Sequence, residues 1–209
     1  MKSFFSIDSP IIRFLSTVAD LMVVNLLWIL CSLPIITIGA STTACYYVCF
    51  RMTRGEGSVI RDFFSSFKKN FKQATILWLV AVLVAGLLCF DFIVLNQISF
   101  LGKEILRVFI IIFTAICLFA ALYAFPLISQ FENSIKNTIK NALHLSLFHF
   151  GKTILMCVPF ALIADVFIFL PAIALRMTII WLLFIISGPI YICCYILKSV
   201  FAAHLSSPI

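Results

Sequence analysis

Residues 74–95 read ATILWLVAVLVAGLLCFDFIVL, and the stretch carries a single charged side chain, Asp91. As an α-helix it would be about 33 Å long at 1.5 Å per residue. That matches the ~30 Å hydrocarbon core of a bilayer. A soluble core helix does not need so long an uninterrupted apolar run, so the stretch is expected to span a membrane.

Working outward, five more apolar segments follow the same rule: 15–33, 35–52, 105–128, 153–170 and 178–197. Segment 35–52 is rich in small residues through Gly39-Ala-Ser-Thr-Thr-Ala44, and reads as a short span or a re-entrant helix. Pro159 and Gly188-Pro189 lie inside helical segments and predict kinks there, which membrane bundles tolerate. Composition agrees with the segments. Of 209 residues, 64% are apolar and only 11% charged, with 23 Phe, against roughly 45–50% and 25% in soluble domains. The expected fold is all-α: one integral membrane domain over 1–209, a polytopic bundle of five to six spans. The amino-terminal stretch does not read as a cleaved signal, because Arg13 interrupts it and no small-residue cleavage site follows.

The net charge of +7 would direct a soluble protein toward nucleic acid. Here the basic residues sit in short segments between apolar runs, where positive-inside orientation and anionic lipid account for them. With six crossings, Lys2, Arg13, Arg51, Arg54, Arg61, Lys68, Lys69, Lys72, Lys136, Lys140, Lys152 and Lys198 fall on one side, and Lys103, Arg107 and Arg176 on the other. That places the richer side and both termini in the cytoplasm. If 35–52 does not cross, the amino terminus moves outside, and both long polar loops stay cytoplasmic.

Those loops are patterned. Over 58–72, Val59, Ile60, Phe63, Phe64, Phe67 and Phe71 recur at helical spacing, opposite Arg61, Asp62, Ser65, Lys68, Lys69 and Lys72. Over 131–150, Phe131, Ile135, Ile139, Leu143, Leu147 and Phe150 oppose Glu132, Lys136, Asn137, Lys140, Asn141 and His144. Both read as amphipathic helices at the cytoplasmic interface, apolar face down. Span, interfacial helix and span thus occur twice, a weak parallel repeat over 35–95 and 105–170.

Ionisable groups at membrane depth are functional candidates. Asp20, with Asn25 five residues on, lies in the first segment, and Asp165 lies beyond the middle of the fifth. A lone buried carboxylate is open to two readings, a proton relay or cation ligand, or a protonated group bonded to a neighbouring helix; for Asp20, pairing with Arg13 or with a cytoplasmic-side cation is a further reading. The eight cysteines lie in apolar segments with no CxxC pair, and the three histidines are not at metal-ligand spacing from them. They read as packing residues, and no metal or cofactor is expected. No nucleophile elbow, dinucleotide loop, phosphate loop or HExxH occurs, so no enzyme is expected and no catalytic residue is assigned.

Asn25-Leu-Leu-Trp28, Leu33-Pro34-Ile-Ile-Thr37-Ile38-Gly39-Ala-Ser-Thr-Thr-Ala44 and Tyr46-Tyr47 resemble the YesL family of bacterial membrane proteins. So do Arg51-Met-Thr-Arg54-Gly55-Glu56-Gly57-Ser58, Phe63-Phe64, Phe67-Lys68, Asn70-Phe71-Lys72-Gln73-Ala74 and Trp78. The resemblance is dense over roughly 15–80. It implies a domain of unknown function, commonly found beside oligosaccharide-uptake transporters and glycan-degrading enzymes, and supplies no catalytic residues. The role it implies is an accessory one in carbohydrate uptake, with ABC permease and ATPase subunits as partners. Glu132-Asn-Ser-Ile-Lys136 departs from the coupling-helix motif of import permeases, so the chain is not expected to be the permease itself. Arg51, Arg54, Arg61, Lys68, Lys69 and Lys72 are the expected partner or lipid contact. Two alternatives stay open: an autonomous small-solute transporter or channel, and a structural membrane scaffold.

Overall fold

The computed structural model describes residues 10–97 and 102–206, with no side chains given at 10, 174 and 203–206. Lys2 and the side chain of His204 therefore lie outside the described residues. The described elements are helical: α1 (Pro10–Ser32), a 3-10 turn (Ile35–Thr37), α2 (Ile38–Met52), α3 (Val59–Gln97), α4 (Lys103–Gln130), α5 (Ile135–Phe148), α6 (Phe150–Phe169), α7 (Pro171–Arg176), α8 (Thr178–Phe184) and α9 (Ser187–Ser206). The protein is an all-α bundle. Among the described residues, α1, α3, α4 and α6 are each long and apolar enough to cross a membrane. Counting the bent pair α8–α9 as one span gives up to five.

α2 is the buried centre. Ten of its fifteen residues are buried, and it packs against α1, α3, α4 and α9. At 1.5 Å per residue it is about 22 Å long, short of a bilayer core. Small side chains let it sit tightly on α3. A Cβ on Gly39 would run into the Ala74 carbonyl and lie 2.6 Å from Trp78 Cβ. α1 and α2 form an antiparallel hairpin, whose register is marked by the bond from Trp28 Nε1 to Thr42 Oγ1 at 3.1 Å. The hairpin tip meets α3 only halfway along, where Trp78 Nε1 donates to the Ile35 carbonyl at 2.9 Å. Leu33 and Ile35 at that tip are 73% and 71% exposed.

Three expectations change. The amphipathic stretch 58–72 is not a separate interfacial helix. It runs unbroken into the span as the first part of a 39-residue α3, because Lys72-Gln73-Ala74 contains no helix breaker. In the second copy of the pattern, α5 and α6 do separate at His149. The inward face of 58–72 is also rotated from the aromatic stripe. Asp62, Phe63 and Ser66 are buried, while Ile60, Phe64 and Phe71 are exposed. The reason is that Asp62 finds a cation and a backbone donor inside. Finally, α5 turns Thr138, Ala142, Leu145 and Ser146 inward, leaving Leu147 and Phe148 exposed. Thr153 accounts for this. It lies 3.0 Å from the Tyr123 hydroxyl and donates to the Ser146 carbonyl at 2.8 Å, so the small polar face of α5 packs on α4 and α6.

The kink expected near Gly188-Pro189 is present as the break at 185–186, with α8 and α9 bent by 40°. Cys45, Cys49, Cys193 and Cys194 are free thiols buried where α2 meets α9.

Candidate functional site: the basic end of the bundle

The site is built from the turn between α2 and α3. Ser58 precedes the first residue of α3, and its backbone N–H donates to Asp62 Oδ2 at 2.9 Å. The carboxylate thereby satisfies an orphan donor at the helix start, where negative charge is also favoured by the helix dipole. Arg51 Nη1 reaches the other oxygen, Asp62 Oδ1, at 2.6 Å. The turn closes around this pair only because Gly57 has no side chain: its φ is +97°, and a Cβ would strike the Asp62 carboxylate. Gly55, at φ +72°, is the second left-handed position in Arg54-Gly-Glu-Gly57, where L-residues are disfavoured.

Other elements converge here. Lys198 of α9 donates to the Thr53 carbonyl at 2.8 Å, capping the end of α2. Gln73 Nε2 donates to the Asn133 carbonyl at 2.7 Å, and Lys69 pairs with Glu132 at 2.6 Å. The α4–α5 connection is thereby fastened to α3. The Lys69–Glu132 pair is 64% and 82% exposed. Its hydrogen bond, then its charge attraction, hold the Glu132 carboxyl below and the Lys69 ammonium above their ordinary values.

The six expected contact residues therefore divide. Arg51 is half-buried and committed to Asp62, so it is part of the scaffold. Lys69 is exposed but paired. Arg54 is exposed, with Nη2 3.5 Å from Gln130 Oε1. Arg61, Lys68 and Lys72 are exposed and make no ion pair among the described residues. Four cationic groups thus stand outward on one end of the bundle.

The intramembrane candidates are not brought together. Asn25 is fully buried and serves the break in the last span. Its Nδ2 donates to the Leu182 carbonyl at 2.8 Å, and its Oδ1 accepts from the backbone N–H of Ile186 at 3.1 Å and of Ser187 at 3.0 Å. Asp20 is half-buried on α1, and Asp165 is exposed on α6. Sequence reasoning missed Asp62, Gly57, Gln73 and Lys198. The first two had a local signal: a glycine-rich turn and Ser58 just before the apolar-periodic run, with the acidic Asp62 in the first turn, mark a helix start. Gln73 and Lys198 act across long separations and had none. Among the described residues, no three His, Cys, Asp or Glu side chains are placed to hold a metal ion.

Residues 21–92, which include this turn, match a family model described as "Protein of unknown function, DUF624". Over 161 residues the chain is 29% identical to the Uncharacterized protein YesL of Bacillus subtilis (strain 168), covering 75% of this chain and 76% of that protein. No solved structure matches the chain. The family model covers the stretch from Asn25 to Trp78 that carries the resemblance, and the two matches together support the likeness to the YesL family.

Proposed function

We propose that this membrane protein is a non-enzymatic accessory component of a carbohydrate (oligosaccharide) ABC-type uptake system in the bacterial cell membrane. The basic end and both termini face the cytoplasm. The observation that carries this reading is the outward set of Arg54, on the turn that Arg51, Gly57 and Asp62 fasten, and Arg61, Lys68 and Lys72, on the first part of α3. A charged and largely unpaired surface suits a protein partner on the cytoplasmic side better than a solute path. The neighbourhood implied by the YesL resemblance names permease and ATPase subunits as that partner. The orientation draws support from two contacts. Lys198 near the end of α9 meets Thr53, and the α1–α2 hairpin returns the start of α1 to the same end.

The autonomous-transporter alternative rested on Asp20, Asp165 and the possible repeat over 35–95 and 105–170. Neither carboxylate lines the cleft between α3 and α4 or the groove between α6 and α9.

The test is affinity purification of the full chain from native membranes in a detergent that preserves importer complexes. Permease and ATPase subunits are expected in the eluate. An Arg61→Glu/Lys68→Glu/Lys72→Glu variant that still inserts should lose them. Recovery of neither subunit with the wild-type chain overturns the proposal.

A further inference from the structure

The apolar lengths of α3 and α4 leave between them an open cleft of about 1000 Å³, floored by α5. This is the upper end of the ~300–1,000 Å³ typical of ligand sites. On α3 it runs from Leu77 to Ile93, about 24 Å at 1.5 Å per residue. One leaflet of the hydrocarbon core is about 15 Å deep, so the cleft is long enough to take the acyl chains of a lipid from one leaflet. The walls offer little for a polar solute to bond. Thr114 Oγ1 already donates to the Ile110 carbonyl at 2.7 Å, and the Trp78 N–H is used by Ile35.

The two ends of the cleft differ. At the end near the α3–α4 connection the cations are engaged. Arg107 bonds Glu104 at 2.9 Å and Asn96 Oδ1 at 3.1 Å, and Lys103 reaches the Asn96 carbonyl at 3.5 Å. At the α5 end, Lys136 stands three residues before Ile139 and Lys140 three before Leu143. Both apolar residues line the cleft, and residues three apart are neighbours on a helix surface. Lys136 and Lys140 are exposed and unpaired among the described residues. An apolar cleft of chain length with two unengaged cations at one end is complementary to an amphiphile with an anionic head.

We propose that this cleft holds the acyl chains of an anionic phospholipid, its phosphate bound by Lys136 and Lys140. The proposal rests on the membrane reading and not on the importer reading, so failure to recover importer subunits leaves it standing. The full chain is equilibrated with phosphatidylcholine vesicles doped with phosphatidylglycerol, extracted and washed, and the retained lipids are counted by native mass spectrometry. The wild-type chain should retain phosphatidylglycerol over phosphatidylcholine. Lys136→Gln/Lys140→Gln should reduce that preference by about fivefold for each lysine, following the attraction of a basic residue to an anionic surface. Ala85→Phe, on the exposed α3 wall, should lower retention of both lipids without changing helicity. Val82→Trp, at a position 45% exposed on the same wall, is a second blocking substitution should Ala85→Phe not fold. Equal retention of the two lipids by the wild type overturns the proposal, as does an effect of the lysine or the blocking variants without the other. A wild-type dimer that Ala85→Phe dissociates, with no lipid retained, would assign the cleft to a second copy and also overturn it.

Discussion

The Asn25 side chain accepts the backbone N–H of Ser187 at 3.0 Å across 162 residues of sequence, and with it holds the break between α8 and α9. The same carboxamide takes the Ile186 N–H and donates to the Leu182 carbonyl. One side chain from α1 thus replaces the helical bonds that the bend removes. In a setting without water, backbone groups left unpaired are expensive.

Asn25→Leu is therefore expected to destabilise the fold by about 2–4 kcal/mol, from two donors and one acceptor left unpaired. Ser187→Ala, by contrast, removes a buried hydroxyl that has no partner and keeps the N–H, so it should be neutral or mildly stabilising. Unfolding by SDS titration of the two variants checks this. Equal losses would mean that the contact does not matter.

At the basic end, Gly57→Ala should cost about 1–3 kcal/mol, because φ is +97° and the new methyl meets Asp62. Asp62→Ala should cost a similar amount, by stranding Arg51 and the Ser58 N–H. The double variant should cost less than the sum, since the clash partner is gone. A double-mutant cycle on thermal stability measures the difference.

Two helix glycines should behave oppositely. Gly39→Leu has nowhere to place its side chain against Ala74 and Trp78, and overpacking of about 1–3 kcal/mol or more is expected. Gly86 in α3 has open space around it, so Gly86→Ala should stabilise by about 0.5–1 kcal/mol. Folded yield and melting temperature report both.

The exposed apolar hairpin tip meets α3 near its midpoint, through Trp78, and is expected to end inside the bilayer, so that neither α1 nor α2 crosses and the start of α1 stays on the cytoplasmic side. The test begins with alanine at the accessible and half-buried Cys31, Cys89, Cys117 and Cys157. In that background, Ile35→Cys should resist a water-soluble maleimide from both sides, while Arg61→Cys reacts from the cytoplasm. Labelling of position 35 from outside would mean that 35–52 crosses.

The Lys69–Glu132 pair sets a pH window. The Glu132 carboxyl is held low in the folded state, so its contribution is complete above the ordinary carboxylate range and fades as pH falls through the lowered value. The Lys69 ammonium is held high, so its contribution is complete below the ordinary lysine value and fades as pH rises through the raised one. Between about pH 5 and 10 the pair should add no pH dependence. Being exposed and screened by salt, it should leave stability at neutral pH nearly unchanged in Glu132→Gln. Melting curves of both proteins across that range check the window.

Much of this architecture is legible in the one-dimensional pattern. Apolar runs of bilayer length announce α1, α3, α4 and α6, and the Gly188-Pro189 pair announces the bend in the last span. The small residues from Gly39 to Ala44 announce a close helix contact. These features are local: the free energy of moving an apolar stretch from water, or of fitting a proline into a helix, is decided within a few turns of the chain. The inward face of 58–72 is not legible, because hydropathy alone does not say that Arg51 and the Ser58 N–H wait for Asp62. Nor is the division of the expected polar sites. Asn25 is consumed by a backbone break in α8–α9, and Asp165 is turned outward on α6. By itself the sequence determined the helices, their apolar lengths and the side of excess positive charge. Only the tertiary structure decided which polar groups are internally satisfied and which are left free to meet a partner, because a hydrogen bond requires two groups within about 3 Å, and their separation along the chain carries no record of that.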